Sequence, residues 1–71
     1  SINISRSGHL LLIMSDYAMN HLYLVDMSGK VLVGEKLASV DMTNLTLPNS
    51  GVFVLFVETS QGYIARKVIN N

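Results

Sequence analysis

The sequence predicts an all-β domain: a small antiparallel β-sandwich of about seven strands spanning residues 1–71. Two observations carry that expectation. Apolar residues recur with a period of two rather than 3.6. Turn-forming Gly, Pro, Asn and Ser punctuate the chain at short intervals, as sandwiches require. A small helix-containing α+β fold is the structural alternative.

The expected elements run as follows. Ile2 to Ser5 makes a first short strand, closed by Arg6-Ser7-Gly8. His9 to Ser15 is the second, and Asp16 to Asn20 turns the chain. His21 to Asp26 is the third strand, ended by Met27-Ser28-Gly29-Lys30, where Gly29 can take the positive φ of a tight hairpin. Val31 to Leu37 is the fourth, and the segment around Ala38 to Asp41 crosses over. Met42 to Leu47 is the fifth, stopped by Pro48, which has no N–H to donate. Val52 to Glu58 is the sixth. A Thr59-Ser60-Gln61-Gly62 hairpin leads into Tyr63 to Ile69, the seventh.

Composition narrows the function. The length allows one domain. With 49% hydrophobic and 14% charged residues, the chain carries enough apolar mass to fold rather than stay disordered. Lys and Arg balance Asp and Glu to a net charge of zero, so no electrostatic footprint for nucleic acid or an anionic membrane surface is present. The longest apolar run, Val52 to Val57, is far short of the roughly 20 residues of a bilayer helix, and no membrane insertion is expected. Cysteine is absent, so a domain this small must pack a good core or lean on a neighbour. The chain starts at Ser1 rather than Met, and we read it as a fragment of a longer precursor.

The residues also carry a family resemblance. Asp26-x-x-Gly29-Lys30 ends one strand and opens the next. Leu47-Pro48-x-x-Gly51-Val52-Phe53-Val54 follows, then a hairpin, then Lys67-Val68-Ile69 near the end. Each piece is ordinary turn-and-strand grammar; their joint order over about residues 8–71 resembles the C-terminal sorting domain of the type IX (Por) secretion system. Phe53 stands where that family usually has Tyr, and Pro48-Asn49-Ser50 is longer than its usual link. The resemblance implies an immunoglobulin-like sandwich serving as the C-terminal module of a larger secreted protein. It implies recognition by an outer-membrane secretion machinery of certain Gram-negative bacteria and a cell-surface destination reached through the periplasm. Gly29, Lys30, Gly51, Phe53 and Lys67 are the matching recognition or fold-defining positions.

One strand argues for recognition on physical grounds. Val52-Phe53-Val54-Leu55-Phe56-Val57 is apolar on both faces, whereas a strand with one solvated face alternates. With Phe53, Leu55 and Val57 in the core, Val52, Val54 and Phe56 point outward. Either the strand is central and covered on both sides, or its outer face docks on something. A two-layer sandwich offers no second cover, so docking is favoured. The upstream domain of the precursor, a second copy pairing through residues 52–57, or the export machinery could supply it.

Catalytic readings find little support. Asp26-Met27-Ser28-Gly29 resembles an aspartic-protease Asp-Ser-Gly with one residue inserted, but a turn-capping Asp is the ordinary explanation. His9 and His21 are isolated, with no partner at metal-ligand spacing. Asp16, Asp26, Glu35, Asp41 and Glu58 form no calcium loop. No Gly-x-Ser-x-Gly elbow or phosphate-binding Gly-rich loop is present. The expectation is therefore no catalytic, cofactor or metal site. Asn3-Ile4-Ser5 and Asn44-Leu45-Thr46 fit a glycosylation sequon, a match that arises readily by chance. Met14, Met19, Met27 and Met42 read as core filler and turn-edge residues. Tyr17, Tyr23 and Tyr63 would be the platform of a carbohydrate-binding module, the alternative function along with a passive accessory domain of a surface enzyme or adhesin.

Overall fold

The computed structural model describes residues 1–71. It is all-β, with five antiparallel strands: β1 (Ile2–Ser7), β2 (Leu10–Asp26), β3 (Val31–Thr46), β4 (Gly51–Thr59) and β5 (Gly62–Asn70). They form one curled sheet in the order β1-β2-β4-β5, with β3 paired to β2.

The strand count corrects the expected seven. Asp16 to Asn20 is no turn; β2 runs straight through it for 17 residues. Likewise Ala38 to Asp41 is no crossover, but lies inside the 16-residue β3. Each stretch carries Asp with Asn or Ser, residues that read locally as turns. They are instead facing irregularities in one long ladder, with register shifts between Met14 and Met19 and between Met19 and His21. Ser39 takes φ 54° there, and its Oγ donates to Asn20 Oδ1 at 3.0 Å, tying the two bulged segments together. Bulges of this kind bend strands and sharpen their twist.

The bend explains the curl. Over Leu10–Ser15, β2 pairs with β1 and with the C-terminal half of β3. Over Met19–Asp26 it pairs with β4 and with the N-terminal half of β3. A strand has two hydrogen-bonding edges, so β3 keeps one throughout while β1 hands the other to β4 at the bulge. At that handover Ser60 N donates to Ala18 O at 3.0 Å. The two halves of the sheet fold toward each other and enclose the apolar side chains.

Inside lie Leu11, Ile13, Met19, Leu22 and Leu24 of β2, Leu45 and Leu47, and Phe53, Leu55 and Val57 of β4, with Val68 of β5. The alternation that the sixth predicted strand implied is observed: Phe53, Leu55 and Val57 are buried. Two buried polar residues finish the ends. Thr59 Oγ1 donates to Gly62 O at 3.0 Å and accepts from Gln61 N, closing the β4–β5 hairpin. Asn70 donates to Asn49 O at 2.6 Å, sits beside His9 Nδ1 at 3.0 Å, and accepts from Arg6, joining two loops and β1 to the last strand. No helix is long and apolar enough to cross a membrane, which leaves β-barrel spans unaddressed.

Leu24 and Leu55 are directly paired across β2 and β4 and are fully buried. Leu55→Ala should therefore lower unfolding free energy by about 2–5 kcal/mol, the usual cost of such a cavity. Urea denaturation measures this; a loss under 1 kcal/mol would mean the site collapses without a cavity.

Candidate interaction face

The outer face of the β2–β4–β5 region is built row by row from the register. Val25, Val54 and Lys67 make one row; Tyr23, Phe56 and Ala65 the next; His21, Glu58 and Tyr63 the third; Val52 and Ile69 lie beyond the first. Val52, Val54 and Phe56 are half-buried, and no second layer shades them. Their partial burial comes from cross-strand neighbours on the same face. β4 is therefore central within the sheet but open on its outer side.

Polar groups border this apolar strip. His21 Nδ1 lies 3.1 Å from Glu58 Oε1, and the His21 and Tyr23 rings stack at 5.7 Å with planes 2° apart. The Glu58 charge, with a hydrogen bond from the phenol to it, raises the Tyr63 hydroxyl above its ordinary pKa. Sequence reading left His21 without a partner because Glu58 is 37 residues away and only the β2–β4 register joins them. Gly34 lies opposite Tyr23, and a Cβ there would make only ordinary van der Waals contact with Tyr23 Cδ1 at 3.5 Å.

The resemblance-derived positions gather at one end of the sheet. Asp26 pairs with Phe53, and Phe53 with Val68, so the β2–β3 hairpin, the start of β4 and the end of β5 are neighbours. Gly29 (φ 92°) and Lys30 occupy that hairpin. Gly51 (φ 145°) opens β4, and Lys67 is exposed on β5 opposite Val54. Phe53, only 3% exposed, is a core residue and belongs to the fold rather than to any surface.

Asp26 is occupied structurally. Its Oδ1 accepts from Ser28 Oγ at 2.6 Å, Ser28 N at 2.9 Å and Lys30 N at 3.0 Å. These bonds, led by the Ser28 hydroxyl, hold its carboxyl below the ordinary carboxylate pKa. His9 is engaged with Asn70. No three His, Cys, Asp or Glu side chains converge. Among the methionines Met19 is core and Met27 lies at a turn, while Met14 and Met42 pair across β2 and β3 and are exposed. That departs from the expected filler role, since both point to the outer side of the other half of the sheet. Tyr23 and Tyr63 share the outer face, whereas Tyr17 lies in the bulged stretch of β2.

The Asp26 cap makes stability acid-sensitive in one direction. A depressed folded pKa adds stability that is complete above the unfolded value near 3.9 and disappears as pH falls through the folded value. Urea titrations at pH 6 and pH 3 should show wild type losing more stability than Asp26→Asn over that interval. Equal losses would mean the cap contributes nothing to the pH dependence.

Comparison with known proteins finds no family model matching this chain, and no curated protein matches it.

Proposed function

We propose that this domain is a non-catalytic recognition module that directs a larger secreted protein through a bacterial outer-membrane secretion machinery to the cell surface. The observation that carries the reading is the outer face of β4. Three adjacent apolar side chains, Val52, Val54 and Phe56, stand on a central strand without a covering layer. An open apolar strip of this kind is a contact surface or a liability. The cover is the machinery, the upstream part of the same protein, or a second copy through residues 52–57.

On this proposal the curled sheet is an immunoglobulin-like sandwich. The bulges in β2 and β3 bend the five-stranded sheet so that its two halves can act as the facing layers of such a sandwich. The proximity of Gly29, Lys30, Gly51 and Lys67 at one end supports a shared role for the motifs that resemble type IX sorting domains. A passive accessory domain would carry the same core but has no use for the open strip. A carbohydrate-binding module would need Tyr17 beside Tyr23 and Tyr63, and Tyr17 lies in the bulged stretch of β2, outside the paired rows that carry the other two.

Residues 1–71 fused behind a reporter, in a host with the machinery, should bring the reporter to the cell surface. A folded fusion retained inside the cell would remove the sorting reading. In the same assay Val54→Thr with Phe56→Ser should lower surface delivery severalfold. The isolated domain should remain folded at a cost of about 1–2 kcal/mol. Unfolding of the double variant would instead make these side chains core.

A further inference from the structure

A second feature lies along the free edge of β5, where it shares Lys67 and Ile69 with the face described above. β1 and β5, the two ends of the strand order β1-β2-β4-β5, face each other across a cleft of about 350 Å³. Its apolar floor includes Ile2, Ile4, Leu11 and Val68. Its rim carries Arg6, Arg66 and Lys67, three of the five Lys and Arg in the chain, and no carboxylate lines it. The zero net charge therefore hides a local concentration of positive charge.

The cleft opens on a strand edge. A cavity on a sheet face is lined by alternate residues, because successive side chains point to opposite sides. Here four consecutive residues of β5, Arg66 to Ile69, line it, so the backbone of the edge itself is presented. Arg6 Nη1 donates to Ile69 O at 2.6 Å and Arg66 Nη1 to Ala65 O at 3.0 Å. These two carbonyls share a parity and leave β5 on the side away from β4. Lys67 has the same parity, and no backbone bond outside the ladders reaches it. Two guanidinium groups thus cap the edge on either side of one open residue.

We propose that this edge is a docking site for an extended peptide segment bearing alternating apolar and acidic residues. The segment adds a strand beside β5, bonding through the backbone N–H and C=O of Lys67. Its apolar side chains cover Ile4 and Val68. Its carboxylates, on the outer side, engage Lys67 directly. Arg6 and Arg66 start from the inner side but already reach the strand edge, and they turn their guanidiniums from the carbonyls they cap to the same carboxylates. Charge complementarity selects this occupant: an edge strand guarded by cations repels a basic segment or a second edge like itself. An anionic amphiphile would satisfy the floor and the charges but not the open backbone groups. The inference shares Lys67 with the sorting proposal, but its test is separate from that reading, because it uses the chain alone with a defined probe.

The test is fluorescence anisotropy of the 71-residue chain with a labelled hexapeptide of alternating Val and Glu. Saturable binding is expected that weakens severalfold as salt is raised, since the pairs lie at the surface. The Val-Lys counterpart should not bind. N-methylation of alternate peptide amides should weaken binding at least tenfold, and so should the exposed double change Arg66→Glu with Lys67→Glu, its fold checked by circular dichroism. Three results would each overturn the proposal: equal binding of the Val-Lys peptide, indifference to N-methylation, or displacement of the peptide by laurate at equal concentration. Dimerisation of the peptide-free chain that Arg66→Glu abolishes would also overturn it, by assigning the edge to a second copy.

Discussion

β2 must serve three neighbours with only two edges, and the rest of the architecture follows from how it does so. β3 holds one edge along almost the whole ladder; β1 and β4 divide the other. The division needs a place where the strand changes direction, and the bulged stretch between Met14 and His21 supplies it. Without that break the sheet would stay open and its apolar face would remain in water. With it, Leu11 and Ile13 from one half meet Leu22, Leu24 and Leu55 from the other. The core of a disulfide-free domain of this size is thus made by a bend in one strand.

The same topology sets what stays exposed. Placing β4 between β2 and β5 satisfies both of its backbone edges, yet leaves its outer side chains without a layer above them. Val52, Val54 and Phe56 shelter one another and their row neighbours, which explains why they are half-buried in the single chain. At the sheet borders the problem is reversed: β5 has a buried inner residue, Val68, but an unpaired edge. Arg6 and Arg66 occupy part of that edge with their own side chains. One border of the domain is therefore apolar and backbone-satisfied, while another is cationic with an open backbone group. Such surfaces select different partners.

Polar groups inside the fold have structural duties. Asp26 organises the hairpin it precedes, Thr59 the hairpin it ends, and Asn70 the meeting of the His9, Asn49 and Arg6 segments. Each buried polar side chain finds a partner, and none is left over. A buried polar group without one would cost about 1–3 kcal/mol, so these small networks decide where loops can sit.

What the sequence by itself determined is local: strand periodicity, the Asp26–Gly29 hairpin, the stop at Pro48, and the inward set Phe53, Leu55 and Val57. These depend on φ preferences, capping and alternation, all readable within a few residues. The tertiary structure alone decided that Asp16 to Asn20 and Ala38 to Asp41 continue strands rather than end them. A bulge and a turn draw on the same residues, Asp, Asn and Ser, and only pairing with a distant partner separates them. It likewise decided the His21–Glu58 pair, the burial of Asn70 and the grouping of Arg6 with Arg66 and Lys67. Those contacts join residues 37 to 64 apart in the chain, where one-dimensional patterning carries no register.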